Sequence, residues 1–266
     1  MTKNKILLLV DDEEIIKNVQ NISNVTFLFP IDTFSVGFHK TFKIEKIKEK
    51  AYIFINRIMD NKTIEDFKKQ IKNLPSNILG IVFDDIGILN VLKDFKSLQK
   101  ILFLNHFNCN YESINAYLDY VDSVVVSPDI TIKEIDEILD HVKKDVVLYT
   151  FGHVNIMYSR RTLISNYNIN FKTKAPMLSD LEDIITSKKF KIIESLYGTV
   201  IYTQEPFNAL ELRNRKKVLF NLVNTVFLKP EEVLNIINTD ANLDDIYPYR
   251  YLSNTDMIVK LKEMSD

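Results

Sequence analysis

YTFGHVNIMYSRRTLISNY, running from Tyr149 to Tyr167, begins inside a run of strand-forming residues (Val146 to Phe151) that stops at Gly152. A polar stretch with two adjacent arginines follows. A β-strand ended by glycine, then convergent polar groups, is how α/β barrels present ligands at the C-terminal ends of their strands. Outward from this segment, short apolar runs recur at Ile6–Val10, Val25–Phe29, Ala51–Ile55, Ile78–Phe83, Ile101–Leu104, Val121–Val126 and Val223–Leu228. With Val146–Phe151 they make eight expected strands, each bounded by polar or turn residues, as buried parallel strands are.

Most of the stretches between them have helical spacing. In Thr63–Leu74, Ile64, Phe67, Ile71 and Leu74 form one apolar stripe with Glu and Lys opposite. Tyr111–Tyr120 and Ile132–Val142 behave alike, and Pro230–Ile237 opens with a proline suited to a first helical turn. The expectation is a (β/α)8 TIM-like barrel over residues 1–238, with a tail over 239–266 ending in an amphipathic helix around Met257, Ile258 and Leu261. The rhythm breaks between Ser159 and Glu205. There Phe190–Ser195 and Val200–Gln204 flank a turn at Gly198, the signature of a β-hairpin. The segment 159–205 is read as an insertion after strand seven, at the barrel's mouth.

The 266 residues are 46% hydrophobic and 26% charged, within the range of a globular chain with an ordinary core. A formal charge of −2 offers no global basic field for nucleic acid, though a local patch is compatible with it. The single cysteine, Cys109, excludes a disulfide framework and any all-cysteine zinc or iron–sulfur site within one chain. The run Ile6–Val10 is too short for a signal-peptide core, and no run approaches a membrane span. A cytoplasmic protein without membrane association is the expectation.

On a barrel, the strand-end residues Asn56, Arg57, Asp84, Asp85, Asn105, His106, Ser127, Gly152 and His153 share one mouth, with Arg160 and Arg161 just beyond strand seven. The planar fork of arginine suits a carboxylate or phosphate. Alternatively one arginine is solvated and the other pairs with an acid such as Glu194. Asp84 and Asp85 alternate about a strand end, so one is expected to point inward, and Asp85 has the alternative of capping the next helix. His106 and His153 lack the spacing of a helical metal pair. Cys109 lies near His106 without an evident orienting third group. No nucleophile elbow, zincin motif or phosphate-cradling glycine loop is present, so residue chemistry alone names no reaction.

Phe151-Gly152-His153 followed by Met157-Tyr158-Ser159-Arg160-Arg161 resembles the pattern of peptidase family U32, a group named for collagenase-like proteases, in which a strand and an HG or FG pair precede a Tyr-Ser-x-Arg core. Ile53 to Asn56, Asp85-Ile86-Gly87 and Glu194 to Thr199 match further family features in the expected order, so the resemblance spans about residues 5 to 238. Several members carry cysteines thought to hold an iron–sulfur cluster. Here Asn155 and Thr162 stand near those positions. The resemblance implies either proteolysis or prephenate-dependent hydroxylation of uridine or cytidine in RNA. A short, cluster-free chain resembles the smaller partner of a pair whose larger homologue bears cysteines.

The resulting expectation is a cluster-free subunit supporting tRNA uridine 5-hydroxylation, with tRNA and the larger homologue as partners. No cofactor is held within the chain, and prephenate is implied by the resemblance. Arg160 and Arg161 would bind an anion, with Asn56, Asp85, His153 and Glu194 shaping the pocket and Gly152 and Gly198 in structural roles. The alternatives are a U32-type peptidase and a non-catalytic scaffold.

Overall fold

A computed structural model describes residues 4–238; the tail and its expected helix lie outside the described residues. Eight parallel strands close into a barrel. Seven of them are β1 (Ile6–Leu9), β2 (Val25–Pro30), β3 (Ala51–Ile55), β4 (Ile78–Phe83), β5 (Gln99–Leu102), β6 (Ser123–Val126) and β7 (Val146–Gly152). Four further strands, β8 (Asn155–Ser159), β9 (Leu178–Glu182), β10 (Lys189–Ser195) and β11 (Gly198–Thr203), form a separate antiparallel sheet in the order β8-β11-β10-β9. The two-residue β12 (Phe207–Asn208) runs antiparallel to the end of β7, and β13 (Val218–Asn224) closes the barrel between β7 and β1. The fold is a TIM-like barrel with a β-insertion after the seventh strand.

Helices α1 (Glu13–Val19), α2 (Asn61–Ile71), α3 (Ile88–Leu92), α4 (Tyr111–Tyr117) and α5 (Ile132–His141) follow β1, β3, β4, β5 and β6. A sixth, α6 (Leu163–Phe171), belongs to the insertion, and α7 (Pro230–Asn238) follows β13. Local chemistry sets their starts. The Asp60 carboxylate accepts from the Thr63 amide at 2.8 Å, and Thr131 with Glu134 forms a complete capping box on α5. The α2 stripe seats Phe67 and Ile71 against the barrel, both buried. Phe67 meets Phe34 edge-on at 5.2 Å, and burial of such a ring contributes about 2–3 kcal/mol.

Inside the barrel the alternation of the strands builds an aromatic plug. Tyr52 meets Phe220 at 5.5 Å, and two residues further along β3 Phe54 stacks on Phe103 at 5.8 Å. Phe103 in turn approaches Tyr149 at 6.2 Å. This upper layer is the floor of the mouth.

The eighth barrel strand differs from expectation. It runs from Val218 to Asn224, not from Val223 to Leu228. Asn221 interrupts the apolar run that sequence reading looks for, yet it is 2% exposed and its amide donates to the Arg213 carbonyl at 3.3 Å. Beyond Asn224 the chain turns, with the Leu228 amide donating to the Thr225 carbonyl at 2.8 Å. The insertion is also richer than a hairpin. Strands β10 and β11 pair as expected, but β8 and β9 flank them and α6 packs alongside.

Candidate functional site

The mouth opens at the C-terminal ends of the barrel strands, beneath the antiparallel sheet. Phe54, Phe103 and Tyr149 form its floor, and Asn56, Asp84, Asn105, Asn155, Tyr202 and Asn224 surround it. A shallower recess outside it is lined by Ile58, Asp84, Asp85, Leu104, Asn105 and His106. Asp84 and Asn105 belong to both, so a ligand reaching in from solvent passes these two residues.

Asp84 is the most perturbed carboxyl there. Burial, reinforced by the neighbouring Asp85 charge, pushes its pKa up to about 7. A carboxyl poised near neutrality either donates or accepts a proton under physiological conditions. Asp85 does a different job: its carboxylate accepts from the Gly87 amide at 2.8 Å in the turn leading into α3. In the same recess His106 Nδ1 bonds Asp129, and that bond, with the Asp129 charge, raises the imidazole pKa. Ser127 Oγ lies 3.4 Å from the same carboxylate. The third group beside His106 is thus Asp129, on the loop after β6. Cys109 is not activated by it. Its thiol donates to the His106 carbonyl at 3.0 Å, and burial pushes its pKa up, away from a thiolate.

Two guanidinium groups follow the ends of β3 and β8, outside the residues that line the mouth. Arg57, at the end of β3, donates to the Thr33 carbonyl at 2.7 Å and lies over the Tyr197 ring at 4.1 Å. Arg160 pairs with Asp60 at 3.3 Å; both are exposed, so the pair adds little stability. Tyr158, on β8, donates its hydroxyl to the Tyr197 carbonyl at 3.2 Å. Burial raises its pKa, while Arg57, Arg160 and Asp84 all lie close enough to act on it. Arg161 is exposed; its backbone, not its guanidinium, is tied down, through Ser159 and Thr199.

The remaining residues singled out in the sequence serve the frame. Asn56 is buried and clamps the loop after β2, accepting from the Val36 amide and donating to its carbonyl, both at 3.0 Å. Glu194 is buried away from the mouth and holds the start of α6. It accepts from the Ile164 amide at 2.6 Å, the Ser165 amide and hydroxyl, and Thr199. The acid paired with Arg160 is therefore Asp60 rather than Glu194. Gly152 and Gly198 have φ of +122° and +134°, a region that favours glycine.

His153 is a wall residue. Its Nδ1 bonds the Thr203 carbonyl at 2.9 Å and its ring meets Phe227 edge-on at 5.3 Å. Burial lowers its pKa from 6.5 to about 4. Below pH 6.5 the unfolded chain takes up this proton while the folded chain does not, so stability falls with pH until about 4. The loss by then is on the order of 3 kcal/mol. In urea unfolding between pH 7 and about 4, His153→Gln should show a shallower decline than the wild type. Identical slopes would remove His153 as the cause.

The profile of peptidase family U32 matches residues 39–174, just over half the chain. The chain belongs to peptidase family U32. The matched region runs from the loop after β2 to the residues just past α6, and so includes every mouth residue from Asn56 to Arg161. Among solved structures, the U32 peptidase Mk0906 aligns at 9% identity and a TM-score of 0.50, covering 84% of this chain and 93% of that one. The Bacillus cereus spore cortex-lytic enzyme SleL aligns at 10% identity and a TM-score of 0.42, over 89% of this chain and 74% of that one. At such identities the likeness to Mk0906 is one of fold. No curated protein matches the sequence.

In this U32 protein, Asn155 lines the mouth and Thr162 precedes α6 without a side-chain capping bond. Among the described residues, no three His, Cys, Asp or Glu side chains gather as metal ligands would. No described helix is long and apolar enough to cross a membrane.

Proposed function

We propose that this U32 protein is a cluster-free subunit that supports tRNA uridine 5-hydroxylation by holding a small carboxylate at the barrel mouth, beside a larger cysteine-bearing homologue. One observation carries the reading. Arg57, Arg160 and Asp84 all lie close enough to Tyr158 for their charges to act on its hydroxyl, and burial pushes the Asp84 pKa up to about 7. Guanidinium groups meet a carboxylate in a bidentate way, and a neutral carboxyl beside them hydrogen-bonds the same anion instead of repelling it. A prephenate-like compound, implied by the family resemblance, carries carboxylates that such arginines would bind.

In this reading the rim anion is bound by Arg57 and Arg160, with Arg160 exchanging its exposed contact with Asp60 for the ligand. Asp84 holds or supplies the proton. Asn105 and Asn155, whose side chains form no hydrogen bond among the described residues, are free to orient the ligand's polar atoms. The experiment is mass spectrometry of tRNA nucleosides from cells with and without the gene, with loss of 5-hydroxyuridine-type nucleosides expected.

A second reading, peptide hydrolysis, is favoured by the His106–Asp129 pair facing the same recess as Asp84, since a carboxyl near neutrality and an oriented imidazole together can activate water. Hydrolysis of gelatin by the wild type but not by His106→Ala, with tRNA nucleosides unchanged, would put this reading first.

A further inference from the structure

The crossover from β2 to β3 carries no α-helix. Over residues 31–50 there is one turn of 3-10 helix, Ile44–Lys46, and the side of the barrel between this crossover and α1 is left as an open groove of about 650 Å3. Its lining is lysine-rich: Lys17 from α1 with Lys40, Lys43, Lys46 and Lys48 from the crossover, against the carboxylates of Glu13, Asp32 and Glu49. All five lysines are exposed. Lys40 is engaged with Glu13 at 2.5 Å, and the other four enter no ion pair among the described residues. On a chain of net charge −2, five lysines against three carboxylates leave this groove with a modest positive excess.

The spacing explains why the charges converge. In a 3-10 turn, residues three apart eclipse, so Ile44 and Ile47 both bury against the barrel while Lys43 and Lys46 share the outer face. Phe42 sits among these lysines, half-buried, packed edge-on against Phe29 at 4.9 Å with Lys40 Nζ 5.8 Å from its ring centre. Cations that track a backbone beside an aromatic surface on which a base can stack are the two elements of sequence-tolerant single-strand binding. An acidic peptide would use the lysines but has no need of the ring.

We propose that this groove binds the phosphodiester backbone of single-stranded nucleic acid, with Lys43, Lys46 and Lys48 on the phosphates and Phe42 beside a base. The site is separate from the mouth, and its test requires only the purified protein and an oligonucleotide. Failure here therefore leaves the hydroxylation reading standing, and the reverse holds.

The test is a fluorescence anisotropy titration with labelled oligouridylate and oligodeoxythymidylate of about 12 nucleotides, across a range of salt. Tight, salt-dependent binding is expected. The triple variant Lys43→Glu, Lys46→Glu, Lys48→Glu should weaken it at least tenfold or so and flatten the slope of log affinity against log salt by about 2. These lysines are exposed, so circular dichroism should show an intact fold. Lys188→Glu with Lys189→Glu, at the start of β10, should bind as the wild type does. Preference for one oligonucleotide identifies RNA or DNA as the natural ligand, and equal binding assigns the backbone alone. The inference is overturned if the wild type does not bind, if the triple variant binds unchanged, or if oligoglutamate binds as tightly, which would make the groove a dock for acidic protein segments.

Discussion

Gly152→Val should leave little folded protein. At Gly152 the chain leaves β7 with φ of +122°, a conformation side-chain-bearing residues rarely adopt and β-branched ones least of all. Space is the larger problem. A Cβ at this position would stand 2.2 Å from the backbone oxygen of Asn224 and 2.8 Å from its Cβ. That oxygen ends the neighbouring strand β13, so relief requires opening the barrel where β7 and β13 close it. Backbone strain and overlap together should cost about 4 kcal/mol or more, a large share of a domain's total stability. Gly152→Ala should suffer most of the same loss, since the overlap begins at Cβ. Denaturant unfolding of both variants checks this. A Gly152→Val protein within about 1 kcal/mol of wild type would mean that β7 does not turn there as described.

Glu194→Ala should have the second largest effect, and a local one. One buried carboxylate serves the Ile164 and Ser165 amides and the Ser165 and Thr199 hydroxyls. Removing it leaves buried donors at the first turn of α6 unpaired, at a cost of about 3 kcal/mol. The barrel strands do not depend on these bonds, so α6 and the antiparallel sheet should loosen first. Limited proteolysis should cut between residues 160 and 190 well before the barrel unfolds. Glu194→Gln, which keeps one acceptor oxygen, should be intermediate. Uniform resistance to protease in both variants would show that α6 is held by packing alone.

The barrel was legible because its strands are short apolar runs at intervals that helices fill, and because capping residues such as Asp60 and Thr131 mark where helices start. Reading failed where polarity is buried: Asn221 inside β13 hid the first half of the last strand, and Val226 beyond it continued an apolar run through a turn. It also failed where strands are exposed. In β8 and β9, the two edges of the antiparallel sheet, apolar residues such as Met157 and Leu181 are solvent-facing enough to break the usual alternation. The hairpin between them was legible from Gly198, where a Cβ would meet the Ser159 carbonyl oxygen at 2.2 Å.

The site was less legible than the fold. Residue type singled out Glu194 and His153 as polar groups near a mouth, but burial commits one to α6 and leaves the other a neutral wall. Asp84 and Asp85 are indistinguishable in sequence. Strand geometry turns Asp84 toward the recesses, while Asp85 enters the turn before α3. Asp129 carried a usable signal, an acid three residues past the end of β6 in Ser127-Pro128-Asp129, but its pairing with His106 links separate loops that only the closed barrel brings together.

The measurement that tests the account most directly is mass spectrometry of tRNA nucleosides from a deletion strain carrying the wild-type gene, Asp84→Asn, or an empty vector. Asp84→Asn keeps the shape of the mouth and removes the proton. The account predicts that 5-hydroxyuridine-type nucleosides disappear with the empty vector, return with the wild type, and stay at least about tenfold lower with Asp84→Asn at equal protein level. Full modification in the empty-vector strain, with the larger homologue intact, would contradict it.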